Sequence, residues 1–79
     1  MIQIGKVGGI SAGDDTGKFV KIQELPDDPP SYLILMAYDA EFQVGYGDYW
    51  VEDYESLKEF FAESRWVIEW LNPASEEGN

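Results

Sequence analysis

The sequence predicts an α+β fold: one antiparallel sheet, element order β-β-β-β-α-β, with a single amphipathic helix packed on one face. Three observations predict it. Short runs rich in β-branched and aromatic residues are separated by clusters of Gly, Pro and Asp, the pattern of strands and turns. One stretch, residues 54–64, carries Tyr54, Leu57, Phe60 and Phe61 at three- and four-residue spacing, which gathers them into one helical stripe. A further β-like run follows at 66–71, so the sheet is completed from both sides of the helix.

Taken in order, residues 2–7 alternate apolar and polar and form a candidate first strand. Residues 8–17 hold four glycines with Asp14 and Asp15 and read as a flexible loop. A phosphate-binding loop is excluded there: no Lys-Ser/Thr pair follows at the required spacing, and the two aspartates would repel phosphate. Residues 19–25 form a second strand with Val20 and Ile22 on one face. Pro26, Pro29 and Pro30 end it, because proline cannot continue a ladder. Residues 32–38 are apolar on both faces and read as the central strand. Asp39-Ala40 then makes a tight turn into a half-buried strand at 41–46, giving a hairpin. Calcium at 39–50 is excluded, since Val44 stands where the loop needs glycine and Trp50 where it needs glutamate.

Residues 45–50 join this hairpin to the helix. Asp53 is its expected N-cap, with a carboxylate able to accept a free amide of the first turn. Glu52, Asp53 and Glu55 suit the positive end of the helix dipole. The helix must stop near Ser64-Arg65, and the polar tail at 73–79 is expected to fray. The expected core is Val20, Ile22, Leu33, Leu35, Phe42, Val44, Leu57, Phe60, Phe61 and Ile68, with the inward face of 32–38 left open because both of its faces are apolar. Trp50 is expected buried; Asp48 and Tyr49 are expected free.

Seventy-nine residues allow one domain, with a thin core to which twelve aromatics contribute large buried areas. Cysteine and histidine are absent, so there is no disulfide framework, no Cys/His zinc site and no Cys or His nucleophile pair. No metal, cofactor or catalytic residue is expected. Residues 1–6 have no apolar core of a signal peptide, and the longest apolar run is too short for a bilayer; the expectation is a soluble, cytoplasmic protein. The formal charge is −11, and residues 39–79 hold eleven of the acids against Lys58 and Arg65. Such a field excludes direct nucleic-acid binding, which needs a basic footprint, and anionic membranes. It favours a basic protein partner with fast, salt-sensitive association.

The carboxylates do not make a credible glycosidase pair, because one thin core leaves little room for a cleft; the chain is not expected to be an enzyme. Glu55, Glu59 and Glu63 recur at i, i+4 along one helix face. Like charges at that spacing cost roughly 0.2–0.5 kcal/mol per pair, so the face is kept acidic either for solubility or for a partner. Tyr46, Asp48, Tyr49, Trp50, Glu52, Asp53 and Glu55 interleave acids with aromatics, a composition suited to protein binding. The candidate partner-binding residues are therefore Asp48, Tyr49, Glu52, Asp53, Glu55, Glu59 and Glu63.

The acidic helix start, the Leu57-Phe60-Phe61 stripe and the Trp66, Ile68, Trp70 strand behind a β-meander resemble small acidic bacterial immunity proteins. The resemblance covers roughly residues 31–71, rests on pattern and carries over no individual residue. It implies an inhibitor that neutralises a cognate toxin. Phage anti-restriction and anti-CRISPR proteins are similar in size and charge, which implies a nucleic-acid mimic as the alternative. A third possibility is a housekeeping domain whose charge serves only solubility, or a small enzyme subunit. A neighbouring toxin gene would favour the first, a phage operon the second.

Overall fold

The computed structural model describes residues 2–71. The elements are β1 (Val7–Ala12), β2 (Phe19–Leu25), β3 (Ser31–Ala37), β4 (Gly45–Val51), α1 (Tyr54–Ser64) and β5 (Val67–Trp70). They form one five-stranded sheet in the order β4-β3-β2-β1-β5, with all four pairings antiparallel. The expected α+β class and element order are those of the molecule. Because β4 and β5 run in the same direction at opposite edges, α1 is the crossover that carries the chain over the three strands between them.

The period-2 rule fixes which side chains meet the helix, since residues paired across an antiparallel ladder share a face. Val20 pairs with Met36 and Ile22 with Ile34; Tyr32 pairs with Val51 and Ile34 with Tyr49; Ile10 pairs with Ile68. Ile10, Val20, Ile22, Tyr32, Ile34 and Met36 are buried beneath Leu57, whose side chain is fully enclosed. Ile2, Ile4, Val51, Phe60, Phe61, Trp66, Ile68 and Trp70 close the rim of this core.

Four expectations are corrected. The first strand lies at Val7–Ala12, not at 2–7, so it takes the first half of the stretch read as loop. Residues 2–5 instead lie at the core margin, where the Gly5 amide donates to the Ile22 carbonyl at 2.8 Å. The fourth strand is Gly45–Val51, not 41–46, and the turn before it is longer than Asp39-Ala40. The Tyr38 amide donates to the Val44 carbonyl at 2.9 Å and the Phe42 amide to the Asp39 carbonyl at 3.1 Å. On β3 the inward face is Tyr32, Ile34 and Met36, so Leu33 and Leu35 leave the expected core for the opposite face. Val44 and Trp50 are exposed rather than buried. Phe60, Phe61 and Ile68 are half-buried, a consequence of one helix covering a five-stranded sheet; Phe42 is half-buried in the loop before β4, beside Leu35 on the face away from the helix. The expectation for the tail at 73–79 lies outside the described residues.

Candidate protein-binding surface

The end of β4 and the start of α1 position most of the candidate residues. Asp53 caps the helix as expected: its carboxylate accepts the Ser56 amide at 2.8 Å, and its own backbone is extended. That bond holds the carboxyl below its usual range, because it is accepted by the ionised form. Asp53 is therefore occupied by its own helix. Glu55, in the first turn, receives Lys58 Nζ at 2.9 Å, and this bond raises the lysine above its ordinary value. Lys58 also lies over the Tyr54 ring, 5.6 Å from its centroid. Glu59 and Glu63 are exposed on the same helix.

Asp48 and Tyr49 are neighbours in sequence but look away from each other across the pleat. Tyr49 is on the helix side, with its ring 5.1 Å from that of Phe60, and remains about half exposed. Asp48 is on the open face, directly opposite Leu35. Beside it a shallow depression is lined by Leu35, Met36, Phe42, Gly45 and Gly47. Trp50, opposite Leu33 on the same open face, is 58% exposed. The structure thus divides the acid–aromatic cluster: Tyr49 with the helix acids, Asp48 with Trp50, and Glu52 in the turn between the two sides.

Trp50 is the surface residue that sequence reasoning misplaced. Shifting the strand frame from 41–46 to 45–51 alternates Gly47, Tyr49 and Val51 against Asp48 and Trp50, and the tryptophan then falls on the face without a helix. The hairpin loop is held by Asp39, whose two carboxylate oxygens accept the amides of Gln43 at 3.1 Å and Val44 at 2.9 Å. These bonds hold the Asp39 carboxyl below its usual range. Its oxygens serve the loop backbone.

At the far end of β4, the Tyr46 ring packs at a tilt against that of Tyr38 with centroids 4.5 Å apart, and burial pushes its hydroxyl up from its ordinary value. Among the described residues, no group of three or more His, Cys, Asp or Glu side chains is placed to hold a metal ion. No helix of the described residues is long and apolar enough to cross a membrane. No family model, curated protein or solved structure matches the chain.

Proposed function

We propose that this protein is a small acidic inhibitory binding protein that neutralises a basic protein partner, an immunity-type protein that blocks a cognate toxin. The observation that carries this reading is the concentration of charge: eleven acids against two bases in residues 39–79. It is supported by the exposure of Glu52, Glu55, Glu59 and Glu63, which follow one another from the turn before α1 to its last turn. Exposed rigid aromatic area accompanies acid on both faces of β4, Tyr49 on the helix side and Trp50 beside Asp48 on the open face, the pairing of steering charge with contact surface that protein interfaces use. Glu59 and Glu63 act at long range, raising the rate of encounter. Asp48, Tyr49 and Glu52 lie closer to the centre of contact.

The test is a pull-down from the native host followed by partner kinetics at two salt concentrations. Glu59→Lys and Glu63→Lys should lower the on-rate severalfold at low salt and leave the off-rate nearly unchanged, since rim charges act on encounter. They should keep or slightly raise the melting temperature, because repulsion along the helix is relieved. Asp48→Ala and Glu52→Ala should raise the off-rate about thirtyfold or more where each pairs with a buried arginine. If all four variants bind like the unaltered protein at low salt, the acidic face serves solubility and the proposal fails.

A further inference from the structure

The edge of the sheet at β4 is open. Among the described residues β4 pairs with β3 on one side, and no further backbone hydrogen bond reaches Gly45–Val51. An edge strand turns every second N–H and C=O outward, a template for another strand. Proteins commonly blunt such edges with short strands, lysine or proline. The opposite edge, β5, has four residues. β4 has seven, without lysine or proline, and it shows Tyr49 and Trp50 on its two faces, each more than half exposed. Its irregularity is confined to the start. The register steps between Met36 and Ala37 so that Tyr46 has no opposite residue, and the ladder is regular from Gly47 to Val51.

Charge selects the occupant. A second copy paired about the middle of β4 would set Asp48 against its own counterpart on the same face, and like charges directly opposite destabilise a ladder. Moving the two-fold axis by one residue avoids that contact but still joins two chains of −11. A basic strand has neither penalty. A lysine or arginine opposite Asp48 would pair with it, and apolar side chains beside it would cover Trp50 and Leu33. On the other face, Tyr49 offers a ring for a guanidinium, with Glu52 just beyond the strand.

We propose that β4 accepts an extended basic segment of the partner as a sixth strand of the sheet. The proposal rests on the reading of this protein as a binder of a basic protein, and it specifies how the partner is held: backbone bonds for affinity, alternate side chains for specificity.

The experiment titrates a short capped peptide of repeating Arg-Arg-Val-Val, which sets an arginine next to a valine on each face of the strand, into the isotope-labelled protein at low salt and follows amide hydrogen exchange. The expected result is at least about tenfold added protection at alternate amides of residues 47–51. Asp48→Lys should weaken the peptide at least tenfold and Asp48→Asn less, while a peptide with glutamate in place of arginine should not bind. Binding without new protection in β4 overturns strand addition but leaves the basic-partner reading standing, and absence of binding overturns strand addition too. If the free protein sediments as a dimer with those amides already protected, β4 is a self-interface and the proposal is overturned. A host pull-down that returns no basic protein, while the peptide still protects β4, overturns the functional reading alone.

Discussion

Gly13 lies where the chain leaving β1 meets the end of α1. The Asp14 amide donates to the Ser64 carbonyl at 2.9 Å, and the Trp66 indole N–H donates to the Asp14 carbonyl at 2.7 Å. Gly13 has a φ of +95°, and a Cβ there would fall on the Arg65 carbonyl, which is backbone and cannot swing aside. Gly17 has a similar φ of +92° but open space around it. Gly13→Ala should therefore cost about 2–3 kcal/mol and Gly17→Ala only the left-handed strain of about 1–2 kcal/mol. Chemical denaturation of the two variants checks the order, and equal losses would mean the contact with Arg65 is unimportant. Asp53 gives a second prediction. Its folded pKa lies below the unfolded value of 3.8, so the cap's stability is complete above that pH and is lost as pH falls through the folded value. Asp53→Ala should lower the melting temperature by a few degrees at neutral pH. Asp53→Asn, which caps without ionising, should hold it near that of the unaltered protein and flatten its decline below pH 4; scanning calorimetry against pH distinguishes them.

At the scale of elements, α1 depends on Leu57, the residue of its stripe with no solvent exposure. Leu57→Ala should cost about 2–5 kcal/mol through lost transfer energy and an unfilled cavity, and a urea melt with an unchanged midpoint would show that α1 does not rest on this contact. The helix was legible in the sequence down to its ends, because Asp53 is a strong cap and the stripe has one period. Its stop was legible too: Arg65 takes a left-handed φ of 57° and its amide turns back to the Ala62 carbonyl. β2 was equally clear, with the proline cluster marking its end. The frame of β4 was not. Residues 41–51 alternate in either of two frames, and what decides between them is the Asp39 side chain folding the loop around Gln43 and Val44. β1 was misplaced because Gly8 and Gly9 read as turn formers, whereas both lie in the ladder between β2 and β5. β3 is apolar on both sides, so only the position of the helix tells Ile34 from Leu33.

For the molecule as a whole, charge was the most legible property and its use the least. Composition gave the sign and the imbalance between the halves. It could not show that Asp48 and Tyr49 fall on opposite faces, that Asp53 is committed to its helix, or that Trp50 stands beside Asp48 on the open face, because these depend on strand frame. The imbalance has a consequence for stability that is separate from binding. With sixteen acids and five bases, the folded chain gathers like charges that the unfolded chain spreads apart, and this repulsion destabilises the compact state. Salt shortens the screening length from about 30 Å at 0.01 M to about 8 Å at 0.15 M, so it relieves repulsion between acids on different elements. It also weakens favourable pairs such as Lys58 with Glu55, but that pair is exposed and contributes little. Repulsion therefore dominates, and the melting temperature should rise by several degrees between these two sodium chloride concentrations. The affinity for a basic partner should fall over the same range, because the charges that repel one another within the chain attract the partner across the interface. Calorimetry of the free protein and titration of the complex in matched buffers measure the two trends. A melting temperature that stays level or falls with salt would show that the acids are already spaced widely enough to coexist, and would remove electrostatic strain as a cost of the acidic surface.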